Sequence, residues 1–136
     1  MKIQNGASHS EIKINKGEVK IIEIAGRMGG DFIGSNLVQA STGIDFLKLV
    51  LNVALNIEID LKVKNLKCIS LVKFILTLED LEEAKKILEK YKENIEECII
   101  EKNWKETKDS TSRNGFYILK FNNEYELEKI KNEIFG

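Results

Sequence analysis

Two glutamates, Glu11 and Glu23, each sit inside a short run of alternating apolar residues, and Arg27 follows the second at a spacing of four. A strand acid with isoleucine on both sides is seldom buried unless it is paired or holds a metal ion. Two carboxylates brought together can hold Mg2+ against phosphate oxygens, and a guanidinium can grip a carboxylate or phosphate through two parallel hydrogen bonds. The bland alternative for Glu23 is a solvated acid paired with Arg27 or Lys13. The stretch that carries it, IIEIAGRMGGDFIG over residues 21–34, runs from an apolar segment into glycines too dense for regular structure. Asp31 reads as a loop-stabilising turn acid or a substrate contact. His9 positions the first strand and stands available for proton transfer.

These side chains need a scaffold. HSEIKIN (residues 9–15) and VKIIEIA (19–25) alternate, with Lys16, Gly17 and Glu18 between them, which predicts a β-hairpin. A two-residue loop pairs Ile14 with Val19 and turns Glu11 and Glu23 to opposite faces. A three-residue loop, Lys16 to Glu18, pairs Glu11 with Glu23 and gathers Ile12, Ile14, Ile22 and Ile24 on one face. The clean apolar side favours the second register. Opposed carboxylates destabilise a bare pair. A divalent cation between them reverses that sign, and otherwise protonation of one acid, or a nearby Lys or Arg, must relieve it.

The loop GRMGGDFIGSNLVQASTG (residues 26–43) is longer than compact domains normally carry, a length associated with function. Thr42 to Asp45 has a capping-box pattern and predicts a helix over 43–56, apolar on most sides and therefore buried. Beyond a polar stretch at 58–65, strands are predicted at 67–76, 96–102 and 115–121. A helix opens at the Thr77–Asp80 capping box, a polar loop spans 105–114, and a last helix is capped by Asn122 or Asn123. The division is 1–57, with hairpin and glycine loop, and 58–136, a small β-α-β-β-α unit of α+β class.

Composition narrows the function. The chain has 136 residues, is 43% hydrophobic and 32% charged, and carries a net charge of −1. That balance suits a globular protein and gives no electrostatic case for nucleic acid or an anionic membrane. The longest apolar run is broken by Asp45, Lys48 and Asn52, so no membrane span is expected. Cys68 and Cys98 read as core thiols of a reducing cytoplasm, and one His with two distant Cys builds no zinc site. The glycines at 26–34 match neither a dinucleotide fingerprint nor a P-loop. Trp104, Tyr117 and Phe121 read as packing.

The run HSEIKI…GEVKIIEIAGRMGGDFIGSNLVQASTGIDFLKLVLNVAL resembles the C-terminal part of ATP-grasp carboxylate–amine ligases, the L-amino-acid ligase-like relatives of the biotin carboxylase and carbamoyl-phosphate synthase superfamily. The similar order there is His-Thr-Glu-hydrophobic-Lys, Ile-Glu-x-x-x-Arg, Gly-Gly and a Ser-Thr-Gly helix start. Arg113-Asn-Gly115-Phe-Tyr-Ile-Leu resembles the small C-terminal subdomain less specifically. The resemblance implies ATP and Mg2+ (or Mn2+) as cofactors, with Glu11 and Glu23 as metal and nucleotide ligands. It makes Arg27 the catalytic residue at the carboxylate or its acyl phosphate, and Gly29, Gly30 and Asp31 a substrate loop. An amine attacks the acyl phosphate. Where many members carry Asn two residues after the second acid, this chain has Ala25, which leans toward the amino-acid-ligase branch. Only eight residues precede His9, so the adenine site and phosphate-gripping lysines are expected from elsewhere. The chain is then expected to be inactive alone and to partner a separate chain supplying the ATP-binding half, or to form a homo-oligomer. A split enzyme, an excised domain and a truncated relic all fit. The competing reading is a non-catalytic dimerisation or partner-binding module.

Overall fold

The structure, a computed structural model, describes residues 4–61, 68–104 and 113–135. Much of the polar stretch at 58–65 and of the loop at 105–114 lies outside them. The chain divides into two compact units: Met1–Gln39 with Gly43–Lys64, and Ala40–Thr42 with Asn65–Gly136.

In the first unit, β1 (His9–Asn15) and β2 (Glu18–Ala25) form a two-stranded antiparallel sheet. The turn holds only Lys16 and Gly17, both at positive φ (49° and 84°), which is the type I′ geometry that matches strand twist. Ile14 therefore faces Val19, and the three-residue loop is not formed. Counting on from that turn would set Glu11 against Ile22. Instead the register shifts between Glu11 and Ile12, Ile22 becomes the extra residue of a bulge, and Glu11 faces Glu23 after all.

The loop closes through a second turn of the same kind. Asp31 (φ 51°) and Phe32 (φ 63°) both lie in the left-handed region, and the Ile33 amide donates to the Gly30 carbonyl at 2.9 Å. A π-helical turn, Ile33–Leu37, follows, with the Asn36 and Leu37 amides both donating to the Phe32 carbonyl. It runs into α1 (Val38–Thr42), which ends at Gly43 with φ 72°. The helix predicted over 43–56 is α2 (Phe46–Ala54). Thr42 closes one helix rather than opening the next, because left-handed Gly43 breaks the chain. Asp45 is the cap, accepting from the Lys48 amide at 2.9 Å. No residue of α2 is fully buried, and Leu47 and Leu51 are 43% and 55% exposed, since a two-stranded sheet offers little to cover it.

The second unit follows the predicted β-α-β-β-α order. It comprises β3 (Ile69–Ile75), α3 (Leu78–Lys90), β4 (Ile95–Ile100), β5 (Gly115–Phe121) and α4 (Glu124–Phe135). The sheet order is β3-β5-β4, all neighbours antiparallel, so β4 returns beside β5 and parallel to β3. Tyr117, Leu119 and Phe121 alternate onto one face of β5 and form the core with Ile75, Ala84 and Ile87, Ile130 and Ile134. Burial, chiefly, pushes the Tyr117 phenol up to about 12. The central strand is thus buried, whereas Cys98 on edge strand β4 is exposed, correcting its placement in the core; Cys68 is half-buried and both thiols are free.

Both predicted caps are in place. Thr77 Oγ1 accepts from the Asp80 amide, and Asp80 Oδ2 accepts from the Thr77 and Leu76 amides at 2.8 and 3.0 Å. Asn123 Oδ1 accepts from the Glu126 amide while Glu126 reaches back to the Asn122 amide. The β4–β5 approach depends on Gly115. A Cβ there would run into the Ile99 carbonyl oxygen and stand 3.0 Å from Ile100 Cα.

Two stability outcomes follow. Gly115→Ala should lose about 1–3 kcal/mol in denaturant unfolding, because backbone must move. Burial raises the Asp80 carboxyl, but the Thr77 and Leu76 amides, the Thr77 hydroxyl and the Lys73 charge outweigh it and leave it below its ordinary 3.8. Its contribution is therefore full above pH 3.8 and is lost as pH falls through the lower folded value. Asp80→Asn should cost about 1 kcal/mol at neutral pH, and the gap to wild type should narrow in acid.

Candidate functional site

The hairpin presents two unlike faces. Cross-strand partners share a side, so one face carries Ile12 with Ile21, Ile14 with Val19, and Ile24 with Ser10. The other carries, in order, His9 with Ala25, Glu11 with Glu23, Lys13 with Lys20, and Asn15 with Glu18. The bulge makes this division possible. With Ile22 held in the ladder instead of bulged, Glu11 would share its tier with that isoleucine and Glu23 would fall on the apolar side.

Directly opposed residues have Cβ atoms about 4.5–5.5 Å apart, so the Glu11 and Glu23 carboxylates can meet on a single cation. Both are exposed, and neither forms an ion pair among the described residues. That removes the bland account in which Glu23 is spent on Arg27 or Lys13. No group of three or more His, Cys, Asp or Glu gathers among the described residues. The donor set is two hard carboxylate groups, which is what Mg2+ takes when phosphate oxygens and water complete its octahedron. The residues fit that ion and not a dedicated protein cage.

Arg27 is exposed beyond the end of β2, and its Nη1 donates to the Met28 carbonyl at 2.9 Å. It leaves the remaining guanidinium donors for a ligand. Gly29 packs inward: a Cβ there would lie 2.9 Å from Ile33 Cγ2 and 3.2 Å from His9 Cδ2. The loop is thereby laid on the His9 ring at the head of the acid ladder. Gly30 has open space on its Cβ side, and Asp31 is exposed in the left-handed turn. The structure thus brings Glu11 and Glu23 together, seats Gly29 over His9, and leaves Arg27, Gly30 and Asp31 on the exposed rim of the loop.

Two features escape a reading by alternation alone. Phe32 in a left-handed conformation and the π-helical turn after it are departures that concentrate at functional sites. The opposed Lys13 and Lys20 are hidden by the three-residue register; the Lys16-Gly17 turn was the signal for them. A cavity of about 250 Å3 opens among Lys13, Asn15, Glu18 and Lys20. A slightly larger one, about 290 Å3, lies at the start of α2 beside Asp45 and Lys48, where the carboxylate is already engaged as a cap.

No family model matches this sequence, and no curated protein is similar to it. Solved structures are. Phosphoribosylglycinamide synthetase from Anaerococcus prevotii superposes with a TM-score of 0.70 at 18% identity, covering 96% of this chain and 35% of that one. L-amino acid ligase from Bacillus licheniformis gives 0.62 at 20% identity, covering 94% and 35%. Both are ATP-grasp ligases. The fold is that of the C-terminal part of an ATP-grasp ligase. The chain spans about a third of the length of the ATP-grasp structures it matches. Among the described residues, no helix is long and apolar enough to cross a membrane.

The glycines of the loop after β2 give a paired prediction. Gly29→Ala should lower stability by about 1–2 kcal/mol, as its Cβ displaces Ile33 and the His9 ring. Gly30→Ala should stay within about 0.5 kcal/mol of wild type. Thermal unfolding, with the His9 ring resonances as a local reporter, reads both.

Proposed function

We propose that this chain is the magnesium-holding part of an ATP-dependent ligase that activates a carboxylate as an acyl phosphate for attack by an amine. Glu11 and Glu23 would hold Mg2+ (or Mn2+) bound to the ATP phosphates. The ion would screen phosphate charge, while Arg27 grips the carboxylate and stabilises the acyl phosphate as charge develops on it. Gly30 and Asp31 form the rim that meets the substrate, and Gly29 holds that rim on His9. The adenine site would come from a larger polypeptide part, on the same or a separate chain, in the cytoplasm. The observation that carries this reading is the bulge that sets two glutamates, without an ion pair among the described residues, opposite each other on the polar face. A register that opposes like charges costs stability unless a cation joins them. The ATP-grasp fold and the one-third coverage of its neighbours support it further.

The test is stabilisation by Mn2+, read as the shift in melting temperature. Wild type should be stabilised and Glu23→Gln should lose that response, while its metal-free stability rises slightly because the opposed like charge is gone. Equal responses in both would sink the metal-ion reading. Calorimetric titration with Mg·ATP, with Glu11→Ala as control, then reports whether the chain binds nucleotide without its larger part.

A second reading has its own observation. Ile12, Ile14, Val19, Ile21, Ile22 and Ile24 are each 45–65% exposed on a two-stranded sheet. A face of that kind also suits a dimerisation module, with the acids merely solvated. That reading requires a concentration-dependent dimer in sedimentation velocity that Ile14→Lys dissolves, with no Mn2+ response.

A further inference from the structure

The polar face of the hairpin carries more than the acid pair. Next to the Glu11–Glu23 tier stands a second pair of like charge, Lys13 opposite Lys20. A hairpin built for its own stability would set unlike charges across from each other; this one opposes carboxylate to carboxylate and ammonium to ammonium. Neither lysine forms an ion pair among the described residues. Both, with Asn15 and Glu18, line the cavity of about 250 Å3 on that face.

We propose that Lys13 and Lys20 grip the phosphate chain of the nucleotide whose metal ion Glu11 and Glu23 hold. Strand geometry sets the lysine tier about 6.6 Å along β1 from the acid tier. A phosphate chain coordinated to a cation at the first tier therefore extends over the second, where each ammonium offers three donors. The two tiers are complementary to the two halves of a metal–polyphosphate complex: acids to the cation, lysines to the anion. Asn15 contributes amide donors at the far end of the recess. Glu18, opposite Asn15, repels an anion there and confines it to the side of the acid pair. The identity of the anion as a nucleotide phosphate rests on the ligase reading above; the lysine contact has its own geometry.

The experiment is titration of the full chain with inorganic pyrophosphate at low ionic strength, with and without Mg2+, followed by calorimetry and 31P NMR. Mn2+ alone is titrated in parallel. Lys13→Gln/Lys20→Gln should weaken pyrophosphate binding about tenfold or more, since charge-assisted hydrogen bonds are lost at both positions. Its affinity for Mn2+ alone should hold or rise. Glu18→Gln should tighten pyrophosphate binding by removing the repelling charge. Circular dichroism verifies that each variant folds. No pyrophosphate binding by wild type, or binding by the double variant within about twofold of wild type, would overturn the proposal. Lysine-dependent pyrophosphate binding in a wild type that takes up no Mn2+ would support the phosphate contact and overturn the metal role of the glutamates.

Discussion

One inserted residue governs the hairpin half of this molecule. A type I′ turn at Lys16-Gly17 and an acid pair at Glu11 and Glu23 are incompatible in a regular ladder, because counting from the turn puts the acids on opposite faces. Ile22, bulged out of the ladder, reconciles them. It keeps the favoured turn, keeps Ile12, Ile14, Val19 and Ile21 on one side, and returns Glu23 to the side of Glu11. The polar face then becomes an ordered series: a histidine under the loop, two acids, two lysines, and an amide facing an acid. Every chemical property argued for the hairpin depends on that slip.

The loop beyond β2 is held by local means. Consecutive left-handed residues at Asp31 and Phe32 reverse the chain, and the π-helical turn absorbs an extra residue before α1 begins. A phenylalanine at φ 63° costs roughly 1–3 kcal/mol, which surrounding structure must offset. Gly29 lies close against His9 and Ile33, with no room for a Cβ. The rim carrying Arg27, Gly30 and Asp31 is therefore pinned at its base and open at its edge, an arrangement that orients side chains without burying them. The second unit is held differently, by the buried side chains of β5 between two edge strands and by two well-formed helix caps.

Much of this was legible in the sequence, because local rules suffice for it. The caps at Thr77 and at Asn122 or Asn123 are read from residue type and spacing, the hydrogen bond to the Glu126 amide choosing Asn123, and the run GFYILKF gives β5 to the residue. Alternation predicts the Glu11–Glu23 pairing through a three-residue loop, whereas the chain makes it with a two-residue turn and a bulge. The apolar pattern demanded the pairing, and a bulge met the same demand without that loop. A bulge leaves no periodic signal, since it is a single break in alternation. The helix predicted over 43–56 starts later, at Phe46, because Thr42 and Asp45 both belong to cap-forming types and only the left-handed Gly43 separates an end from a beginning. Exposure of Cys98 follows from strand order, a long-range property that no window of sequence contains.

The two-stranded sheet has a consequence for the life of the chain in the cell. Among the described residues, β1 and β2 are both edge strands, each with one side of its backbone open to a further strand. VKIIEIA has strong strand propensity and no proline, and its isoleucines stand in the open. Segments of that kind template growth of stacked strands from one molecule to the next. Lys13, Lys16 and Lys20 interrupt the stack, because superposed copies would align their charges. Three lysines slow such polymerisation without removing its driving force, so the surest protection is a surface that covers the isoleucines. Any copy whose isoleucines stand uncovered is open to proteolysis or deposition.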